Sequence, residues 1–152
     1  MSASDVMTRQ VKTVGPATTV MEAVSLMRAT GHSALPVVDE QGRVLGMLTD
    51  ANLLNRCLPE YVQQVGDLYS TAEFPPFNEL VRALAPLPVA QVMEQEPALG
   101  EPGTPVTEIA ALMTTHHVRH VPIIDDDRLV GIVGAQDVLD RISQAGRGGG
   151  AP

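Results

Sequence analysis

Two stretches of this 152-residue chain repeat each other. Val6-Met7 recurs as Val92-Met93, an offset of 86 positions. At the same offset Thr18-Thr19-Val20 meets Thr104-Pro105-Val106, Leu26-Met27 meets Leu112-Met113, and Leu35-Pro36-Val37-Val38-Asp39 meets Val121-Pro122-Ile123-Ile124-Asp125. One residue is lost in the turn that follows. From there the offset is 85, so Gly46-Met47-Leu48 meets Gly131-Ile132-Val133 and Leu53-Leu54 meets Val138-Leu139. A duplication of this kind requires one supersecondary unit built twice, so any fold proposed for one copy must serve the other.

Each copy reads as strand, helix, strand, strand, helix, which defines an α/β (α+β) chain. Val20, Ala23, Val24 and Met27 stand at i, i+3, i+4 and i+7, and Val106, Ile109, Ala110 and Met113 do the same, so both stretches are amphipathic helices. Thr18 and Thr104 are the N-cap candidates, Pro105 is placed at the first helical position, and Gly31 ends the first helix. Ala34–Val38 and Val44–Leu48 read as strands joined by Asp39-Glu40-Gln41-Gly42, a hairpin signal. Asp125-Asp126-Asp127 takes that place in the second copy. Asn52–Arg56 and Asp137–Ser143 read as closing helices.

The chain divides into a first copy over residues 1–57, an inserted linker over 58–90, a second copy over 91–145 and a tail over 146–152. The insert holds five prolines, yet Val62, Val65, Leu68 and Tyr69 keep helical spacing, as do Leu80, Val81 and Leu84, so it is expected to be partly helical. Tyr61, Tyr69, Phe74 and Phe77 are the only aromatic residues, and all lie in or beside this insert, where they need something to pack against. The tail, with Gly148-Gly149-Gly150, is expected to be disordered.

Composition narrows the function. With 44% hydrophobic residues the chain can fill a core. A formal charge of -8 disfavours nonspecific attraction to nucleic acid or an anionic membrane, and neither copy carries a ring on which a base would stack. No apolar run approaches the roughly 20 residues of a membrane-spanning helix, and Met1–Gln10 lacks the basic start and apolar stretch of a secretion signal. The expectation is a cytoplasmic protein without nucleic-acid or membrane partners. The single cysteine, Cys57, agrees with a reducing compartment.

The order of signals, repeated twice, resembles the cystathionine β-synthase (CBS) domain, and the pair resembles the tandem arrangement called a Bateman module. The carriers are the early Val-Met, the strand Leu35-Pro36-Val37-Val38-Asp39 with its counterpart Val121-Pro122-Ile123-Ile124-Asp125, and Gly46-Met47-Leu48 or Gly131-Ile132-Val133 running into a helix. The resemblance implies two copies packed sheet against sheet about a pseudo-twofold axis, two clefts, and a homodimer of such modules. It implies an adenosine nucleotide (AMP, ADP, ATP or S-adenosylmethionine) as regulatory ligand, with no required cofactor and no catalysis.

Members of that family carry Gly, two apolar residues, Thr or Ser, two variable residues and Asp, whose hydroxyl and carboxylate hold phosphate and ribose. Here the first copy reads Gly46-Met47-Leu48-Thr49-Asp50-Ala51-Asn52, keeping the hydroxyl while Asn52 replaces the acid. The second reads Gly131-Ile132-Val133-Gly134-Ala135-Gln136-Asp137, keeping the acid while Gly134 replaces the hydroxyl. Asn52 still offers an acceptor to a ribose hydroxyl, without the charge-assisted strength of Asp137. Arg119 and His120 precede Val121-Pro122 where the first copy has Ser33 and Ala34, so the resemblance pairs them with Thr49 and Asn52 as phosphate donors. It implies further ligand contacts at Thr13 and Val14, beside adenine, and at the strand prolines Pro36 and Pro122.

Simpler roles compete for the same residues. Thr49, Asn52 and Asp137 suit helix caps, and Arg119 and His120 suit an exposed strand edge. His116, His117 and His120 have metal-like spacing only within a helix, and a helix-to-strand transition is expected there, so no metal site is assigned. Asp125-Asp126-Asp127 lacks the alternation of a calcium loop and reads as a turn. Met21, Met27, Met47 and Met113 read as core filling and Cys57 as a small buried residue. No nucleophile with a base and no paired acids emerge. Two functions follow: a nucleotide sensor acting in trans on an unidentified protein, or a dimeric interaction module that has lost its ligand.

Overall fold

The computed structural model describes residues 1–57 and 76–148. In chain order these form α1 (Ala3–Val6), α2 (Val20–Thr30), β1 (Ala34–Val38), β2 (Val44–Thr49), α3 (Asp50–Arg56), α4 (Phe77–Leu84), a 3-10 turn at Val89–Gln91, β3 (Glu94–Gln95), α5 (Val106–His116), β4 (His120–Asp125), β5 (Arg128–Gly134) and α6 (Ala135–Gly148). β1, β2 and β3 make one sheet in that order, and β4 and β5 make a second.

The helices and hairpins follow the sequence closely, with one shift at the helix starts. The cap of α2 is Thr19, whose hydroxyl oxygen accepts from the Glu22 N–H at 3.2 Å, and the cap of α5 is Pro105, which offers no side-chain acceptor. Thr18 and Thr104 stand one position too early. Their hydroxyls accept from Gly15 N–H (3.1 Å) and Glu101 N–H (2.9 Å) and so close the preceding turns instead. Gly31 ends α2 in the left-handed conformation (φ 71°), as expected, and His117 does the same for α5 (φ 54°). Asp126 and Asp127 both have positive φ, the requirement of a two-residue hairpin between β4 and β5.

The expected leading strands, the first ending at Thr13-Val14, are reduced to single bridges at Val14 and Gly100, and the segments ahead of them are turns. Ala3–Val6 is a helical turn held by the Asp5 carboxylate accepting from Ser2 N–H at 2.8 Å, and its counterpart is the 3-10 turn after Pro88, which has no N–H to give a ladder. What pairs is short: Thr8 bridges Ile132, β3 pairs with β2, Val14 bridges Val37 and Gly100 bridges Ile123.

Packing divides the chain into two compact units that do not follow chain order. One holds Met1–Lys12, Val38–Val44 and Glu96–Pro152, and the other holds Thr13–Val37 and Leu45–Gln95. Each copy's leading segment therefore completes the core of the other copy. Ala3 is fully buried among Ile109, Met113, Val121, Ile123 and Val133, while Val89 and Val92 are buried among Ala23, Met27, Leu35, Val37 and Leu48. The backbone bonds match one for one. Ala3 N–H donates to Thr104 O as Val89 N–H does to Thr18 O, and Ser4 N–H to Pro102 O as Ala90 N–H does to Pro16 O. Each buried aliphatic side chain contributes about 1.5–3 kcal/mol, so both cores depend on the exchange.

Three further expectations are settled by exposure. Met27, Met47 and Met113 are core residues, but Met21 is 60% exposed because it lies on the outer side of α2. Cys57 is half-buried at the end of α3. Leu80, Val81 and Leu84 are helical in α4, and Phe77 is exposed rather than packed, while Tyr61, Tyr69, Phe74 and the spacing Val62 to Tyr69 lie outside the described residues. Arg147 and Gly148, expected in a disordered tail, close α6, and the rest of that tail lies outside the described residues.

Candidate functional site

The candidate residues fall into two sets, one in each unit, and the sets are built alike. Thr13, Val14, Pro36, Thr49 and Asn52 belong to one unit and Arg119, His120, Pro122 and Asp137 to the other.

In the first set, the buried Val14 donates its N–H to Pro36 O at 3.1 Å, which fixes the half-buried Thr13 beside the edge of β1. β2 ends at Thr49, and α3 starts at once, so the strand delivers Thr49 to a helix start. Thr49 and Asn52 form a reciprocal capping box. Asn52 N–H donates to Thr49 Oγ1 at 3.1 Å, and Thr49 N–H and Thr49 Oγ1 donate to Asn52 Oδ1 at 3.0 and 2.8 Å. Asp50 N–H is taken by Ser33 O at 3.0 Å.

The second set repeats this with different chemistry. Ala135 N–H donates to Arg119 O at 2.8 Å, so the residue before β4 is tied to the start of α6. Gly134 N–H donates to Asp137 Oδ2 at 2.8 Å, the same reach back as Asn52 makes, but Gly134 has no hydroxyl to complete the box. His120 is paired with Gly134 across the β4–β5 ladder. A methyl group on Gly134 would lie 3.4 Å from His120 Cδ2 and 3.5 Å from Asp137 Oδ2, so the imidazole and the carboxylate flank one glycine. Arg119 is exposed, and His120 and Asp137 are half-buried. The structure thus brings an Arg, a His and an Asp of one copy to one strand end, a gathering that sequence spacing alone did not reveal. The signal for it was the pair of offsets, which puts 119 and 134 where 33 and 49 stand.

Pro36 and Pro122 are each less than 2% exposed. Their rings pack inside, and their carbonyls accept from Val14 N–H and Gly100 N–H. His116 closes α5, His117 is left-handed and His120 opens β4, so the three do not share a helix face. Among the described residues no three His, Cys, Asp or Glu side chains form a metal-holding group. The same unit carries a cavity of about 440 Å³ lined by Glu101, Asp125, Asp126 and Asp127, whose carboxylates suit no phosphate.

A duplicated hairpin-and-helix unit with each core completed by the other copy's leading segment defines a tandem repeat module. The CBS domain model matches residues 3–58 and 89–144, and the chain belongs to the CBS domain family. It is 36% identical over 137 residues to the CBS domain-containing protein YhcV of Bacillus subtilis, covering 90% of this chain and 82% of that one. The solved structure of Hypoxic Response Protein I with two coordinated zinc ions is similar at 26% identity and a TM-score of 0.69, covering 92% and 98% of the two chains. At 22% identity, CBSX2 in complex with AMP has the same fold, with a TM-score of 0.72 and coverage of 95% and 97%. So does the CBS domain pair of protein MJ0100 in complex with 5-methylthioadenosine and S-adenosyl-L-methionine, at 20% identity and a TM-score of 0.71, with coverage of 95% and 98%. No helix among the described residues is long and apolar enough to cross a membrane.

Proposed function

We propose that this chain is a regulatory module that binds an adenosine nucleotide, self-associates as a homodimer, and acts in trans on a separate protein without catalysing a reaction. The observation that carries the reading is the gathering of Arg119, His120 and Asp137 about Gly134. It puts an Arg and a His, residue types that can donate to a phosphate, at the same strand end as a carboxylate that can accept from sugar hydroxyls. Adenosine ligands in the related CBSX2 and MJ0100 structures support the ligand class. In this reading Thr49 and Asn52 are polar contacts, Thr13 and Val14 border the adenine, and Pro36 and Pro122 act through the backbone they position. Binding alters a partner only through differential affinity for two shapes of the module.

A ligand-free interaction module is the second reading, and one observation favours it. Thr49 and Asn52 already have a structural task as a capping box. Equilibrium dialysis of the intact chain against AMP, ADP, ATP and S-adenosylmethionine, with GMP as control, separates the two. Retention of an adenosine ligand but not GMP, weakened at least tenfold by Arg119→Ala with His120→Ala, supports the sensor. Retention of none leaves the interaction module.

A further inference from the structure

The imidazole of His120 and the carboxylate of Asp137 border one small space. His120 and Gly134 are cross-strand partners in the β4–β5 ladder, so their Cβ positions lie on one face of the sheet. A methyl group on Gly134 would stand 3.4 and 3.6 Å from His120 Cδ2 and Nε2 and 3.5 Å from Asp137 Oδ2. Gly134 does not have a positive φ, so no turn requires glycine there, and what its missing side chain leaves is the room that the two groups share. Asp137 is kept in place by Gly134 N–H, which donates to Oδ2 at 2.8 Å. Among the described residues, β5 sets no charge opposite His120, because Gly134 stands there. Arg119 directly precedes β4, and α5, which packs on β4, closes with His116 and His117; all three are exposed.

Histidine is the side chain whose charge changes near neutral pH. A nearby carboxylate favours the protonated imidazole, whereas exposed cations oppose it only through solvent and salt. A phosphate brought beside the same imidazole acts in the same direction as the carboxylate, so the bound state holds the proton more firmly than the free one. We infer that His120 is a proton-sensitive element of the module, and that binding of an adenosine phosphate takes up a proton from solvent onto its imidazole. The inference rests on the adenosine reading above. The proton stays on His120 while the ligand is bound. The affinity that this residue contributes is therefore complete at low pH and is lost as pH rises through the pKa of the bound state. The module thus reads nucleotide and acidity together.

Calorimetric titration of the intact chain with AMP near pH 7, in two buffers of different ionisation enthalpy, counts the protons taken up. It is repeated on His120→Gln, which keeps a neutral N–H donor, and with S-adenosylmethionine, which has no phosphate. A tenfold gain in proton affinity on binding corresponds to uptake of about half a proton per AMP. That uptake is expected in the unchanged protein and almost none in His120→Gln. In an NMR titration the imidazole signal that His120→Gln lacks should titrate at a lower pH in Asp137→Asn, and thermal unfolding checks that both variants fold. AMP binding without proton uptake, uptake undiminished in a folded His120→Gln, or a His120 titration unmoved by Asp137→Asn overturns the inference and leaves the adenosine reading standing. Binding of S-adenosylmethionine but not AMP also overturns the inference alone. Binding of neither overturns the adenosine reading and the inference with it.

Discussion

Gly131 lies directly beneath Met7, so closely that a methyl group on Gly131 would stand 2.5 Å from the Met7 sulfur and 3.0 Å from Thr8 O. Gly46 has the same relation to Met93, at 2.5 Å from the sulfur and 2.6 Å from Glu94 O. The two glycines are 85 positions apart, and each clears space for the methionine of the other copy's leading segment. Close approach of the chain, rather than a turn, is what requires glycine at both. Gly131→Ala and Gly46→Ala should each destabilise by about 1–3 kcal/mol in urea unfolding, the usual cost of overpacking. Gly103 has nothing within 4 Å, so Gly103→Ala should be harmless or slightly stabilising.

The exchange of leading segments makes a regional prediction. Deleting residues 1–8 removes Ala3, Val6 and Met7 from the core of Ile109, Val121 and Ile123 and leaves Ile132 N–H without Thr8 O. Hydrogen exchange should show protection lost in α5 and β5 while β1 and β2, whose core is completed by Val89 and Val92, keep theirs. Equal loss in both units would contradict the packing described.

Caps should matter where a side chain makes one. Thr19→Ala and Thr49→Ala each remove the acceptor for a helix N–H and should cost about 1 kcal/mol in chemical unfolding. Thr18→Ala should leave the start of α2 intact, because Thr18 bonds Gly15 and not the helix.

The hairpin between β1 and β2 carries an acid-sensitive element. Asp39 accepts from Arg43 N–H and Gln41 N–H, both at 2.9 Å, and pairs with the Arg43 guanidinium at 2.8 Å. The Arg43 backbone bond is the chief cause that holds the Asp39 carboxyl below its ordinary pKa. A carboxylate lowered on folding contributes stability that is complete above its unfolded pKa of about 3.9 and disappears as pH falls through the lower folded value. Asp39→Asn should therefore flatten the acid limb of the stability profile below about pH 4 and reduce stability at neutral pH, as urea titration at several pH values would show.

How much of this was legible in the sequence depends on the scale of the signal. Two copies, their helices and their hairpins were legible because hydrophobic period and turn residues are local, and the duplication checked each reading against its twin. The leading strands were less so, because a short apolar run does not declare its pairing: Val14 and Gly100 make one bridge each, and Val6-Met7 packs on the second copy. Thr18 against Thr19 was ambiguous because adjacent threonines offer the same cap, and only the Gly15 turn decides between them. The pairing of His120 with Gly134, and so the gathering with Asp137, depends on the β4–β5 register. The use of the Asn52 oxygen was hidden as well, since residue type shows both halves of an amide and only the hydrogen bonds show which half is left.

Thermal unfolding of the intact chain with saturating AMP, ADP, ATP or S-adenosylmethionine, beside GMP, tests the central claim most directly. A ligand at 100 times its dissociation constant stabilises by about 2.7 kcal/mol, which at roughly 2–4 °C per kcal/mol is a rise of about 5–10 °C. The account predicts such a rise for at least one adenosine ligand and none for GMP. No rise with any adenosine ligand, or an equal rise with GMP, would contradict it.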